Sequence, residues 1–351
     1  MGKGWASLRG TRGKCGRCLA VAAFWILMAL PGLPAPSFAQ DVAPRPPASR
    51  PEITVDALSV VKVRSKVIPD ARSLATLGPQ REGTGVVIDA QGLVLTIGYL
   101  VLEAENVELS TADGRIFPAT VVGYDSATGL GLVKALTPLP IRPVNIGQSG
   151  SARERELVLI VGFDGVAPAY IVSKRPFVGQ WEYLLDEAIY TAPATVNWSG
   201  AALLDSEGKL LGIGSLVVGD AMGTRTNVPG NMFVPIDIIK PVLGDFVANG
   251  KSTARPRPWI GINTQEVQGN LIVMRVSPEG PAEAAGLKAG DVIVGMRGQP
   301  LKGQADFYTR LWASGAAGVE IPVDVLRGNR IGNYRIKSMD RSQYFRPQPV
   351  Y

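Results

Sequence analysis

The side chains that most often carry catalysis or bind metals are almost absent from this chain. None of its 351 residues is histidine, and both cysteines, Cys15 and Cys18, lie close to the amino terminus. Histidine and cysteine are the usual ligands of transition metals, and the acidic residues here lack the loop spacing that binds Ca²⁺. The sequence therefore predicts no metal site and no cofactor.

A serine in this chain would have to be activated without histidine. The serine hydroxyl attacks a carbonyl group only when a neighbouring base removes its proton, and an acid usually orients that base. Lysine serves as the base in some proteases, because burial can remove its proton near neutral pH. Lys134 and Lys174 are the candidates, but the pattern around both is typical of strand residues that face solvent.

The first 39 residues have the order of a secretory signal peptide. Five basic residues and no acidic residue come first, followed by the apolar run 18–30 and by small residues up to Ala39. The apolar run is shorter than the roughly 20 residues that span a bilayer. We therefore expect cleavage after Ala39, export to the periplasm and no membrane span in the mature chain.

Removing the signal peptide changes both the charge and the cysteine content. The full chain has 36 basic and 30 acidic residues, whereas the mature chain would have 31 and 30, a net charge of +1. The basic character thus belongs to the targeting segment and does not indicate nucleic-acid binding. Both cysteines are also removed, so we expect a mature protein without disulfides.

Short apolar runs separated by turn sequences recur between residues 83 and 213. Asp89–Gly92, Ala112–Arg115 and Asp205–Gly208 each separate two such runs. Repeated hairpins at this spacing predict an all-β barrel or sandwich. Apolar residues at helical spacing between 236 and 246 then predict a helix that ends at Gly250.

We expect six segments along the chain. They are a signal peptide (1–39), a Pro-rich leader (40–52), a β-rich domain (53–250), a charged linker (251–258), a second domain (259–337) and a loose polar tail (338–351). The second domain alternates strands with two short helices, near 281–285 and 305–312. A mature chain of about 310 residues is long enough for two domains.

Three segments of the β-rich domain resemble the HtrA/Deg family of trypsin-like serine proteases. They are GTGVVIDAQGLVLTIGYLV (83–101), VVGYDSATGLGLVK (121–134) and NWSGAALLDSEGKLLGI (197–213). Their order is that of the family, and the resemblance continues to about residue 328. It implies a trypsin-like double β-barrel with Ser199 in the position of the nucleophile.

The same resemblance exposes departures at two catalytic positions. Tyr99 stands where the family has the triad histidine, and Gly129 stands where it has the triad aspartate. A tyrosine with an unperturbed pKa near 10 cannot act as a base near neutral pH, and glycine has no side chain. Loss of a triad lowers kcat about a millionfold. We therefore expect Ser199 to be inactive.

The loop that forms the oxyanion hole in the family is also altered. Asn197 replaces the family's glycine two residues before the serine, bulky Trp198 follows, and segment 189–199 is one residue shorter. Glycine lets this loop turn an N–H toward the substrate carbonyl, and asparagine can still adopt the left-handed conformation. The sequence leaves open whether the hole forms.

The second domain resembles the PDZ domain of the same family, a partly open α+β barrel. WIGI (259–262) matches its entry motif, and SPEGPAEAAGLKAGDVI (277–293) matches its core. A PDZ domain binds a peptide C-terminus by adding it as a strand to a sheet edge. The resemblance implies that the backbone N–H groups of Ile260, Gly261 and Ile262 bind the terminal carboxylate, beside a wall formed by helix 305–312.

Together these features predict an exported pseudoprotease that binds polypeptides or protein C-termini without cleaving them. Its role would be chaperone-like, tethering or regulatory, as a homo-oligomer or in a mixed assembly with an active family member. Two alternatives stay open, namely an active serine endopeptidase with an unusual base for Ser199, and a structural envelope protein. The missing histidine argues against the first alternative, and an open groove at 259–262 would argue against the second.

Overall fold

The computed structural model describes residues 58–250 and 252–346. The expected signal peptide (1–39) and leader (40–52) lie outside the described residues, as do residues 251 and 347–351. The described chain is mainly β-structure, with two barrels followed by a smaller α+β domain. This confirms the predicted fold class.

The first barrel consists of six antiparallel strands in the order β1-β2-β3-β6-β5-β4, and β4 pairs with β1 to close it. The strands are β1 (Val60–Val67), β2 (Gln80–Val87), β3 (Leu93–Ile97), β4 (Ala104–Ser110), β5 (Ile116–Tyr124) and β6 (Leu130–Ala135), with helix α1 (Leu74–Leu77) after β1. Val63, Leu95 and Leu109 are fully buried inside. The Asp89 carboxylate fixes the β2–β3 turn by accepting a hydrogen bond from the Leu93 N–H at 2.7 Å.

The second barrel contains the longest hairpin of the molecule. Its strands are β7 (Asn145–Ile146), β8 (Leu157–Gly162), β9 (Gly165–Gly179), β10 (Tyr183–Ala192), β11 (Ala202–Leu204), β12 (Lys209–Val218) and β13 (Gly230–Pro235). The sheet closes because β11 pairs with both β8 and β12. Strands β9 and β10 are joined by the tight turn 180–182 and run well beyond their neighbours.

A helix follows the second barrel, as the apolar spacing predicts. Helix α2 (Lys240–Asn249) packs Phe246 into the core. Gly250 ends it in the left-handed conformation, with φ at 69°, and its N–H donates to the Phe246 carbonyl. Glycine adopts this conformation without the steric cost that other residues carry.

The α+β domain has a five-stranded sheet in the order β15-β16-β17-β19-β20, with β18 paired to β17. Its elements are β14 (Pro258–Trp259), β15 (Ile262–Val267), β16 (Asn270–Val276), α3 (Pro281–Ala284), β17 (Val292–Met296), β18 (Gln299–Pro300), α4 (Gln304–Ala313), β19 (Glu320–Arg327) and β20 (Arg330–Lys337). Phe307 and Leu311 of α4 are fully buried against the sheet. Helix α4 therefore lies beside β15 and leaves a groove between the two elements.

The segment after residue 337 differs from its prediction as a loose tail. It forms β21 (Met339–Asp340) and α5 (Arg341–Tyr344), and β21 pairs with β14. The Tyr344 ring centre lies 4.6 Å from the Trp259 ring centre, and the Arg72 guanidinium of the first barrel lies 4.3 Å from the centre of the Tyr344 ring. One aromatic contact and one cation–π contact thus order a segment whose average composition is polar.

No helix in residues 58–250 and 252–346 is long and apolar enough to cross a membrane.

Replacing Tyr344 with alanine should destabilise the protein by about 2 to 3 kcal/mol, because it removes a buried ring from the contacts with Trp259 and Arg72. The measurement is urea unfolding followed by tryptophan fluorescence. Gln343→Ala is the matched control, since Gln343 is exposed beside Tyr344. Equal stability of both variants would contradict the structural role of the tail.

Candidate active site and peptide-binding groove

Tyr99 is held at the end of β3 by contacts of its backbone. A single 3-10 turn, Gly98–Leu100, carries it away from the strand. The Gly98 N–H donates to the Gly129 carbonyl at 2.8 Å, and the buried Arg81 guanidinium donates to the Tyr99 carbonyl at 2.8 Å. These bonds fix where the phenol ring points.

The Tyr99 hydroxyl lies between two serines of the second barrel. It is 3.0 Å from the Ser199 hydroxyl oxygen and 3.1 Å from the Ser215 backbone carbonyl. The phenol has a single proton, and it is directed to these two acceptors, the Ser199 hydroxyl oxygen and the Ser215 carbonyl oxygen. Tyr99 is thus a hydrogen-bond donor toward Ser199.

This arrangement does not activate Ser199. A base must take the serine proton away, and the neutral phenol instead donates its own proton to the serine oxygen. Burial raises the pKa of Tyr99 well above its ordinary value of 10, because the charged phenolate is disfavoured away from water. Phenolate is therefore absent near neutral pH.

The two lysines considered as alternative bases are engaged elsewhere. The Lys174 ammonium lies 2.9 Å from the Glu187 carboxylate and donates to the carbonyls of Ser149 and Ala152. Lys134 lies 3.9 Å from the Asp89 carboxylate. These contacts do not place either lysine beside Ser199.

Gly129, which we predicted at the aspartate position, has a conformation that resists side chains. Its φ is +76°, in the left-handed region, and a Cβ added there would lie 3.0 Å from the Tyr183 hydroxyl oxygen. Tyr183 in turn donates to the Thr128 carbonyl at 2.6 Å. Backbone geometry and the Tyr183 ring thus both occupy the room that an orienting acid would need.

The loop that was considered for an oxyanion hole uses one of its backbone N–H groups internally. Asn197 is outside the left-handed region, and its N–H is directed to the Thr195 hydroxyl at 3.3 Å. The Trp198 ring centre lies 6.5 Å from the Tyr99 ring centre. One N–H that could stabilise an oxyanion is therefore used within the loop.

The three predicted carboxylate-binding N–H groups of the groove already hold a carboxylate. The side chain of Glu182, from the β9–β10 turn, accepts from the N–H groups of Ile260 (3.1 Å), Gly261 (2.7 Å) and Ile262 (2.9 Å). Glu182 is only 4% exposed. The groove, whose openness the sequence left undecided, is occupied by the chain itself.

Further bonds of the same turn extend along the groove. The Gln180 carbonyl accepts from the Thr264 N–H of β15 at 2.8 Å, and the Gly179 carbonyl accepts from the Tyr308 hydroxyl of α4 at 3.0 Å. Gln304 also donates to Gly179, at 3.1 Å. Both walls of the groove therefore bind the backbone of residues 179–182, the internal ligand.

Burial raises the pKa of Glu182 to about 7, and the three N–H donors and the charge of Arg341 offset part of that effect. Sequence reasoning did not single out Glu182, Gln180 or Tyr183. An acidic residue in a hairpin turn ordinarily faces solvent, and only the folded arrangement brings this turn to residues 260–264.

Among residues 58–250 and 252–346, no cluster of three or more acidic, histidine or cysteine side chains could hold a metal ion.

Two family models match consecutive parts of the chain. The trypsin-like peptidase domain matches residues 83–213 and the PDZ domain matches residues 258–337. Sequence relatives of the chain are named as serine proteases. The serine endoprotease DegS of Salmonella typhimurium is 26% identical over 269 residues, covering 71% of this chain and 74% of its own. The chain belongs to the HtrA/Deg family. This confirms the resemblance stated from the motifs.

Other HtrA/Deg relatives are similarly distant. The periplasmic pH-dependent serine endoprotease DegQ of Escherichia coli is 28% identical over 264 residues, covering 71% of this chain and 57% of its own. Protease Do-like 1, chloroplastic, of Arabidopsis thaliana is 28% identical over 300 residues, covering 77% of this chain and 67% of its own. The chain thus spans between half and three quarters of these relatives.

Solved structures of the family agree in fold. A point variant of the HtrA-type protease AlgW with tripeptide aligns with a TM-score of 0.50 at 21% identity, covering 84% of this chain and 95% of its own. At this identity the likeness describes the fold alone.

Introducing the family's histidine and aspartate at positions 99 and 129 should not produce proteolysis. In the double variant Tyr99→His and Gly129→Asp, the aspartate must adopt φ near +76° against Tyr183, so it cannot orient the imidazole. The measurement is cleavage of unfolded casein, which we expect to be absent. Cleavage at the rate of DegQ would contradict this account.

The strain at Gly129 can be measured separately. Gly129→Ala should destabilise the protein by about 1 to 3 kcal/mol more than Gly208→Ala, which serves as the matched control. Gly208 has nearly the same φ, +75°, but no atoms within 4 Å of an added Cβ. Equal unfolding free energies in urea would show that Tyr183 does not crowd the site.

Raising the pH should not generate phenolate at Tyr99. Because burial raises its pKa above 10, the ultraviolet difference spectrum of the wild type minus Tyr99→Phe should show no phenolate band up to pH 10. A band that appears between pH 7 and 10 would mean that Tyr99 can become a base.

Proposed function

We propose that this HtrA/Deg-family chain is a pseudoprotease, which keeps the protease scaffold and binds polypeptides without hydrolysing them. One observation carries the proposal: Tyr99 directs its phenol proton to the Ser199 hydroxyl oxygen and to the Ser215 carbonyl oxygen, so Ser199 faces a proton donor and not a base. Nothing in this chain of three oxygen atoms can remove the serine proton. The position of Gly129 and the direction of the Asn197 N–H support the same conclusion.

The ligands in this proposal are polypeptides that end in a free carboxylate. Support comes from the three convergent N–H groups at Ile260, Gly261 and Ile262, which hold a carboxylate in the described structure. Such groups bind an anion whatever side chains surround it, because the donors belong to the backbone.

The proposed location is the periplasm, and the proposed role there is chaperone-like, tethering or regulatory. The sequence of residues 1–39 supports export, and the relative DegQ is named as periplasmic. A homo-oligomer or a mixed assembly with an active family member fits a regulatory role, since a chain that binds substrate without cleaving it competes with one that cleaves.

An active-site probe tests the proposal. The purified protein should leave unfolded casein intact and should react with a fluorophosphonate no faster than its Ser199→Ala variant, because labelling also requires an activated hydroxyl. DegQ serves as the positive control. Time-dependent labelling that is lost in Ser199→Ala would instead favour an endopeptidase with an unusual base.

A further inference from the structure

The β9–β10 turn imitates a bound peptide in both of its contacts with β15. Strand addition to a PDZ edge uses a terminal carboxylate at the entry motif and backbone pairing with the strand that follows. Here the Glu182 side chain supplies the carboxylate and the Gln180 carbonyl pairs with the Thr264 N–H. The turn therefore uses the same donors that an external peptide would need.

The donors of these contacts alternate along the extended strand β15, while their acceptors belong to the turn 180–182. The Ile262 and Thr264 N–H groups lie two residues apart on β15, and their partners, Glu182 and Gln180, are also two residues apart. Alternate residues of a strand present their N–H groups to the same side. An external peptide would place its terminal carboxylate where the Glu182 carboxylate lies and its third-last carbonyl where the Gln180 carbonyl lies.

The internal ligand is supported from both sides of the groove. The Tyr308 hydroxyl donates to the Gly179 carbonyl and accepts from the Glu182 N–H at 3.2 Å. Val178 and Leu184, on either side of the turn, pack against the apolar core of the PDZ domain. A peptide and residues 179–182 cannot occupy the groove together.

We propose that residues 179–182 are a built-in competitor of the PDZ groove, and that a polypeptide with a free C-terminal carboxylate binds by displacing them in the same register. This inference rests on the proposed peptide-binding function and adds its regulation. The groove is competent only in the fraction of molecules whose turn has left it. The apparent affinity for a peptide is therefore the intrinsic affinity of the free groove multiplied by that fraction.

The test compares affinities in the full chain. The probe is a fluorescent peptide with the sequence of residues 174–181 followed by one valine, which places glutamine third from the free carboxylate. Glu182→Ala should bind it about 10 to 100 times more tightly than wild type, and Glu182→Gln should lie between them, because its amide keeps the shape but loses the charge. Fluorescence anisotropy of the peptide measures the dissociation constant for each of the three proteins.

The matched control is Asp186→Asn, which removes one negative charge from an exposed position on the same hairpin. It should bind the peptide as the wild type does. The amidated peptide should bind Glu182→Ala markedly more weakly than the free acid, because the charge-assisted hydrogen bonds are lost.

Hydrogen exchange confirms the fold of the variants and locates the change. In Glu182→Ala the amides of residues 260–264 should exchange faster than in wild type and become protected again when peptide is added. The amides of β17 and β19 should be unchanged, which shows that the PDZ domain remains folded.

The outcomes separate this inference from the proposed function. Equal affinity of wild type and Glu182→Ala for the free-acid peptide would overturn the competitor while leaving peptide binding intact. Failure of every variant to bind the peptide would overturn both. Equal binding of the free and amidated peptides to Glu182→Ala would show that the groove does not select a carboxylate, which also overturns the displacement.

Discussion

The arrangement of the described chain depends on how one buried carboxylate is satisfied. Removing Glu182 from water costs several kcal/mol unless its oxygens find donors. The N–H groups of Ile260, Gly261 and Ile262 supply them, and they belong to the domain that follows the barrels. The β9–β10 turn must therefore reach that domain, which explains why this hairpin is longer than its neighbours.

A second set of hydrogen bonds, among Ser199, Tyr99 and Ser215, determines the chemistry of the protease-like site. The Tyr99 hydroxyl directs its single proton to the Ser215 carbonyl oxygen and to the Ser199 hydroxyl oxygen. A proton donor thus faces Ser199, where serine catalysis would require a base. Under the proposed function, Tyr99 holds the serine in place and does not activate it.

The sequence predicted the parts of this molecule that depend on local patterns. Turn residues such as Asp89 and Gly250 lie at the turn and the helix end that the spacing predicts. The three motifs identified the family and also showed that Tyr99 and Gly129 differ from its sequence pattern. The partners of these residues could not be predicted, because Ser215 and Tyr183 reach them only through strand pairing over long separations. Glu182 and Tyr344 were missed for the same reason, since each looks like a surface residue until the domains meet.

The tail and the β9–β10 turn attach the PDZ domain at two separate places. Tyr344 contacts Arg72 of the first barrel, and the Arg346 N–H donates to the Glu103 carboxylate at 2.8 Å, while Glu182 connects the second barrel. A domain attached at two places can only rotate about the line that joins them, whereas a domain attached at one place can reorient in all directions. Release of the whole β9–β10 turn would thus leave the PDZ domain attached to the barrels by the C-terminal segment, beside the Arg72–Glu279 ion pair, and able to reorient about it.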